Sequence, residues 1–494
     1  MAGEKLSADI LQNAARLEAL FEKDATFILR FVQNRSCPGL TFALCYCAGM
    51  IDSALIANAI IKPLVLSELA PDDPNLLQTV MTKGLYTHKA EPSDTFEEII
   101  QAVTGGDTAV LLPGAAQALI MSTQGFPLRS ISEPDAEKVL SGPKEGFCES
   151  MIVNLSLLHR RLKTNDLKIE MRTFGERTAT KACVCYLASV CDPEILAELN
   201  RRLDTIHTDG ALDVNTLAEW IRDNRHSSFR AIDYTERPDV AAGKLLEGRV
   251  AVFLDGTPMV LTLPYLFIEN FQSNEDYYMG SFYASFARIL RISGYFLSVL
   301  TPAVFIAITT YNHEILPTPL LISMTRERQN VPLPLGLELI MMLLVFDLLR
   351  EAGVRMPSNI GQAMSIVGAL VLGQAAVQAK IASSLVIIIV AFTGITSLLV
   401  PKMSAPLIVT RASILLLALF LGFPGLLLGF SLLLAHILGL RSFGMAQVGM
   451  TGALTRPNIQ DTAVRLPLDD MPERPPMAAG DHIRMQKPPG RWWR

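Results

Sequence analysis

Residues 360–400 read IGQAMSIVGALVLGQAAVQAKIASSLVIIIVAFTGITSLLV, with Lys380 as the only charged side chain. A hydrocarbon core about 30 Å thick takes roughly 20 apolar residues per helix. The run therefore predicts two membrane helices back to back, turning at Lys380. A buried core helix is the competing reading. Such helices stop near a dozen apolar residues, at about 10–14, and polar surface flanks them. Here one apolar segment follows another.

Working outward, further apolar segments lie at 292–310, 335–349, 408–422 and 425–440. The 360–400 run contributes 360–379 and 381–400. The 335–349 segment is short and carries Glu338 and Asp347. Phe423-Pro424 marks the turn between the last two. Basic flanks orient such segments. Placing Arg288/Arg291, Arg350/Arg355, Lys402/Arg411 and Arg441 inside gives six crossings, with both termini cytoplasmic. Arg326 and Arg328 then fall in an outside loop, and the short second segment also fits a re-entrant path. The expectation is an even number of crossings, four to six, between 292 and 440. A juxtamembrane linker spans 271–291. The tail, 441–494, is Pro-rich and polar and predicts little structure of its own. Its end, Arg491-Trp492-Trp493-Arg494, fits either a headgroup contact or a disordered end.

The whole-chain averages hide this partition. The 494 residues are 50% hydrophobic, and 18% are charged. The net charge of −5 argues against a nucleic-acid partner. All seven cysteines, Cys37, Cys45, Cys47, Cys148, Cys183, Cys185 and Cys191, precede the apolar block. Cys45 and Cys47 share a strand face, as do Cys183 and Cys185. No CxxC or Cys/His spacing accompanies them, so reduced, buried thiols are expected. The start, MAGEKLSADI, has no apolar h-region, which keeps the amino-terminal part in the cytoplasm.

That part reads as two α/β subdomains, 1–126 and 127–270. In the first, 24–33 predicts an amphipathic helix, 40–47 a buried strand and 53–61 a helix. Residues 71–74 predict a turn, and the stretch to Ser93 a loop. A helix follows at 96–103, then a hairpin of 109–112 and 116–122. In the second, 145–163 predicts a long helix. Strands are expected at 167–173 and 181–187, helices at 193–206, 214–223 and 239–246, and a hairpin at 250–254 and 259–263. Strands alternating with helices indicate α/β layers. There is no Gly-rich phosphate loop, no GxSxG and no zinc spacing. No enzyme, cofactor or metal is expected.

Gly361, Ser365, Ala369 and Gly373 recur every four residues, a stripe that lets helices approach closely. Gln374 and Gln378 lie on its flank, and amides at membrane depth must hydrogen-bond. They line a water-filled path or bond to a neighbouring helix. Glu338 and Asp347 are intramembrane acids, which face protein or water. Asp347 and Glu351 share a face beside Arg350, which a local salt bridge explains. His313 and Glu314 suit a solvated loop better than a proton relay or metal site. Pro302 predicts a kink. Thr235 or Asp239 fits as a cap for the helix after Pro238. Glu236 and Arg237 are candidates for a domain or subunit contact.

Several phrases together resemble the GerA family, the A subunits of bacterial spore germinant receptors. They are Gly142-Pro143-Lys144-Glu145-Gly146-Phe147, Thr235-Glu236-Arg237-Pro238-Asp239 and Glu275-Asp276-Tyr277-Tyr278. Leu348-Leu349-Arg350-Glu351-Ala352-Gly353 with Arg355 and Pro357 is similar too. So are Ile366-Val367-Gly368-Ala369-Leu370-Val371 with Gly373 and Gln374, and the tail pattern Asp461, Arg465, Pro467, Arg474 and Pro475. The resemblance covers about 126–475. It implies a multi-pass protein of the spore inner membrane that forms a homo-oligomer, a pentamer, conducting ions. It implies a permease-like B subunit and a lipoprotein C subunit as partners. A stage V AF-type branch works without its own B and C subunits and amplifies ion release with another small membrane protein. If the chain is such a channel subunit, the third apolar segment with Ser365, Gln374 and Gln378 is the candidate pore side and Glu338 a cation-attracting group. A nutrient transporter and a membrane-anchored scaffold are the rivals from other classes.

Overall fold

A computed structural model describes residues 4–70, 76–83, 85–86, 90–125, 137, 139, 142–329, 331–355, 371, 373–448, 460–471 and 473–474. The turn expected at 71–74, the small residues Gly361, Ser365 and Ala369, Pro475 and the Trp-bearing end lie outside them.

The first unit runs α1 (Ile10–Leu20), β1 (Phe27–Gln33), β2 (Thr41–Cys47), α2 (Ser53–Leu66), α3 (Leu76–Lys83), β3 (Ala90–Ser93), α4 (Phe96–Thr104), β4 (Thr108–Leu111) and β5 (Ala118–Met121). Its strands form one antiparallel sheet in the order β1-β2-β4-β5-β3. Strand β2 is an unbroken apolar run because both faces are covered. Ala43, Cys45 and Cys47 pack under α1 and α4, while Phe42 and Leu44 pack under α2 and α3. This is the period of two in a pleated strand.

The second unit repeats the first. Its elements are α5 (Met151–Arg161), β6 (Leu167–Phe174), β7 (Thr180–Leu187), α6 (Pro193–Asp204), α7 (Val214–Ile221), β8 (Asp233–Thr235), α8 (Pro238–Leu246), β9 (Val250–Leu254) and β10 (Val260–Leu263). Their order, β6-β7-β9-β10-β8, is the same topology. Helices α5 and α8 cover one face, α6 and α7 the other. The sequences follow. Cys45-Tyr46-x-Ala48, with Asp52 capping α2, returns as Cys185-Tyr186-x-Ala188, with Asp192 capping α6. Gly106-x-x-Ala109-Val110-x-Leu112-x-Gly114 returns as Gly248-x-x-Ala251-Val252-x-Leu254-x-Gly256. Gly114 and Gly256 turn the two equivalent hairpins at φ +74° and +91°, where a side chain is strained.

Three expectations are corrected here. Residues 24–33 hold a strand, β1, in place of the predicted helix. Their apolar residues fit either period, and the central strand β2 needs a partner on that side. The loop expected before Ser93 contains α3 and the edge strand β3. The long helix expected at 145–163 begins at Met151, because Cys148 and Asn154 hydrogen-bond across an extended entry segment. The other expected strands and hairpins overlap the observed ones, while the short β8 lies where no strand was expected.

The apolar part comprises α9 (Ser281–Tyr311, ending in a π-turn), α10 (Thr318–Arg328), α11 (Leu335–Arg355), α12 (Ser384–Ser397), α13 (Ser404–Leu421) and α14 (Phe423–Gly439). Ser281–Tyr311 and Pro401–Leu421 are long and apolar enough to cross a membrane, by length and composition. The loop expected around Arg326 and Arg328 is helix α10. Lys380 does mark a turn, at φ +56°, after a helical stretch at 373–378. Among the described glycines, close approach occurs at positions other than Gly373. A Cβ on Gly294 would meet the Leu399 side chain at 2.6 Å, whereas one on Gly373 would touch Ile387 at 4.0 Å.

Helices α13 and α14 form a hairpin about Gly422. A Cβ on Gly425 would lie 2.0 Å from the Leu417 carbonyl oxygen, which cannot move without moving the helix. Gly425→Ala is expected to destabilise the protein by about 1–3 kcal/mol, read as a lower melting temperature of the purified full chain. An unchanged melting temperature would show that the helices separate freely.

The described part of the tail also departs from expectation. After α14 it forms a small hairpin, β11 (Arg441–Ser442) with β12 (Met445–Ala446), then packs back onto the second unit. The Ser442 hydroxyl donates to the Ala231 carbonyl at 2.7 Å and accepts from the Tyr265 N–H at 3.0 Å. Within the described residues of the tail, Ser442, Asp461 and Arg465 serve as ligands for buried or half-buried partners rather than as solvated chain.

Candidate functional site

Four of the phrases that carry the resemblance, at 142–147, 235–239, 275–278 and 461–474, converge on one place, where the second unit, the root of α9 and the tail meet. Three buried charge clusters build it.

The first surrounds Arg237, the residue before α8. Its backbone is extended, so its side chain turns back across the helix start. The fully buried guanidinium donates to the Pro143 carbonyl at 2.8 Å, the Asp239 carboxylate at 2.9 Å and the Glu137 carbonyl at 3.3 Å. One Glu137 oxygen accepts from the Thr235 hydroxyl at 2.6 Å and the Glu236 N–H at 3.1 Å. Burial raises the pKa of Glu137, and the Thr235 bond opposes that. The Phe147 N–H donates to the Glu236 carbonyl at 2.7 Å, and the Tyr278 hydroxyl donates to Asp239. A Cβ on Gly142 would strike the Tyr278 ring at 2.7 Å. Arg237 and Glu236 thus make a contact inside one chain, and Thr235 and Asp239 are ligands of the cluster.

The second cluster joins α9 to the tail. Asp276 is buried, receiving Arg288 at 3.0 Å and Arg291 at 2.8 and 3.0 Å. Arg288, also buried, donates to Asp461 at 2.8 Å and to the Thr462 carbonyl at 2.9 Å. The Tyr277 hydroxyl donates to Asp461 at 2.7 Å. Arg465 lies over the Tyr277 ring and donates to the Met279 carbonyl at 2.9 Å.

The third cluster sits under the linker. Glu269 accepts from Arg249 at 2.5 Å and from the Leu266 N–H at 3.0 Å, and it pairs with Lys244. Burial works to raise its pKa, but the charges of Arg249 and Lys244 win and hold it at about 2. Cavities of about 260 and 690 Å³ flank this junction and share Gln272, Ser273, Asn274 and Lys402 as a common wall. They leave room between the second unit and the helix roots. The groups of this junction are paired with one another, an arrangement suited to transmitting force.

Within the apolar helices, Glu338 is buried and caps the start of α12. One of its oxygens accepts from the Ser383 N–H at 2.5 Å and the Ser383 hydroxyl at 2.7 Å. Gln374 and Gln378 are exposed on the single chain. Gly361, Ser365 and Ala369 lie outside the described residues. Asp347 pairs with Arg350 at 3.5 Å, as expected, but also with buried Arg411 of α13 at 2.5 Å. Glu351 pairs with Arg355. Pairing with Arg411 lets Asp347 sit between helices, which spacing along α11 alone did not reveal. The Arg249–Glu269–Lys244 cluster was likewise missed. Its only signal was ionisable residues interrupting apolar stretches.

A model of the family described as Bacillus/Clostridium GerA spore germination protein matches residues 15–477. Spore germination protein KA of Bacillus subtilis (strain 168) is 36% identical over 487 residues, covering 98% of this chain and 89% of that protein. Stage V sporulation protein AF of the same organism is 29% identical over 403 residues, 81% of each chain. The crystal structure of the N-terminal domain of the A subunit of the Bacillus megaterium spore germinant receptor GerK3 covers 53% of this chain and 98% of its own. That likeness has 24% identity and a TM-score of 0.41.

Proposed function

The chain belongs to the GerA family of Bacillus/Clostridium spore germination proteins, and from that premise we propose that it is the membrane subunit of a germinant receptor. It crosses the spore inner membrane several times with both termini in the cytoplasm. Copies of it associate, as a pentamer, into a nutrient-gated channel that releases monovalent cations. A permease-like B subunit and a lipoprotein C subunit complete the receptor. The observation that carries this reading is the buried Asp276–Arg288–Asp461 junction. It fixes the linker and the tail to the root of α9, and the neighbouring Tyr278–Asp239 bond ties that linker to the second unit, so a displacement on one side is felt on the other.

The pore side is the stretch that includes Ser365, Gln374 and Gln378, and Glu338, buried against Ser383 in the single chain, is the cation-attracting group behind that face. Exposure of both amides on the isolated chain supports this, since a pore between copies needs polar groups on an outer face. The small side chains of Gly361, Ala369 and Gly373 would let copies approach closely along that stretch. The test is potassium release from germinating spores. Gln374→Leu with Gln378→Leu is expected to slow release at least several-fold at normal protein level. Unchanged release would remove both from the pore. Release that persists after deletion of the B and C subunits would move the chain to the stage V AF-type mode of action.

A further inference from the structure

The two α/β units are joined by a loan of backbone. The segment just before β1 lies along the outer edge of β6. The Ile169 N–H donates to the Lys23 carbonyl at 2.9 Å, and the Ala25 N–H donates to the Ile169 carbonyl at 3.1 Å. The Asn165 amide reaches the Leu20 carbonyl at 3.3 Å, and Lys23 pairs with Glu170 at 3.4 Å.

Because the units are copies, each carries both halves of this joint. The segment before β6 is held against its own sheet as the segment before β1 is. The Ala188 N–H donates to the Asp166 carbonyl at 3.0 Å, as the Ala48 N–H donates to that of Thr26 at 2.8 Å. Lys163, Thr164 and Asn165 therefore correspond to Lys23, Asp24 and Ala25. On the other side, Leu29 faces Cys45 in the register in which Ile169 faces Cys185. Both are non-hydrogen-bonded pairs, so the Leu29 N–H and carbonyl point away from β2. Phe31 is 45% exposed on that edge, as Met171 is 44% exposed on β6. One donor segment and one acceptor edge are used within the chain. Among the described residues, the backbone of 163–165 and the β1 edge make no such joint.

We propose that chains associate head to tail through a second version of this joint, the 163–165 segment of one copy adding to the β1 edge of the next around Leu29. This deepens the self-association in the proposed function and rests on it. A heterologous contact of this kind builds a ring when its rotation closes. Open strand edges are natural places for such addition. The joint between copies is weaker than the one within the chain. The Lys23–Glu170 pair becomes Lys163 opposite Arg30, two like charges.

The test uses the full chain in its membrane, carrying Leu29→Cys and Thr164→Cys together, under mild oxidation. Asp24 and Ile169 are bridge partners within the chain, so Asp24→Cys with Ile169→Cys is the control and should cross-link internally. The Leu29/Thr164 pair should yield adducts between copies, well above either single variant with the seven native cysteines present. Adding Arg30→Glu, which restores an opposite-charge pair, should raise the yield at least two-fold. Yields no higher than the single variants, while an amine-reactive cross-linker still traps oligomers, would overturn the joint and leave self-association standing. Monomers under both treatments would overturn the joint and the self-association together.

Discussion

Replacing Arg288 by alanine is expected to destabilise the full chain by about 3–5 kcal/mol, the range for removing one partner of a buried charge cluster. The guanidinium bridges Asp276 and Asp461 with no exposure of its own. Without it Asp461 loses its cation, while Asp276 keeps Arg291. The loss should therefore concentrate on the tail side. Residues 460–474 should become sensitive to protease in the variant before the rest of the chain unfolds. Arg288→Lys should restore little, since an ammonium cannot reproduce the three directed contacts. Adding Asp461→Asn to Arg288→Met should recover part of the loss by removing the stranded charge. Protease resistance and melting like those of the parent would show that the tail is held by other contacts.

Glu269 should give the second large effect, and one that depends on pH. Its carboxyl is held at about 2 in the folded chain, against 4.5 for the free side chain. A depressed carboxyl contributes stability that is fully present above the unfolded value. That contribution fades as pH falls from about 4.5 to about 2. The gap corresponds to about 3 kcal/mol. Glu269→Gln should therefore melt well below the parent at pH 7, and the two curves should draw together as the pH is lowered towards 3. A constant difference from pH 7 to pH 3 would show that the charge on Glu269 is not what stabilises the linker. Glu269→Ala should do more harm at neutral pH, since Arg249 is buried beside it.

The sequence was most readable where one physical signal acted alone. The run at 41–47 could only be a strand covered on both faces, and the hairpins at 108–121 and 250–263 carry their turn residues openly. The block after 281 is apolar enough to be unmistakable as helix. Residues 27–33 carried two signals, and the choice was made by β2, which lies on the other side of a turn. The internal repeat was written in Cys45-Tyr46 and Cys185-Tyr186, yet most of its equivalent positions keep only size and polarity. The tail misled because Pro and charge in a row signal solvated chain. Here the charges of Asp461 and Arg465 are consumed by groups nearly two hundred positions away. The same holds for Arg237, Arg288 and Arg411, whose burial depends on carboxylates or carbonyls that the chain brings in from afar. The small-residue stripe at 361–373 was legible as a pattern, but the close approaches that are described fall at Gly294 and Gly425, where the neighbouring helix decides.

At about 1.5 Å per residue, the 31 residues of Ser281–Tyr311 make a rod about 46 Å long, against a lipid core of about 30 Å. In the proposed membrane setting the excess would form a stalk with Arg288 and Arg291 as its collar. An unbroken helix resists twisting, so a turn applied at the collar travels undiminished along it. The first place where the ladder of backbone bonds is interrupted is Pro302. Torque delivered by the soluble units would be spent there, deep in the bundle, where the axle is weakest.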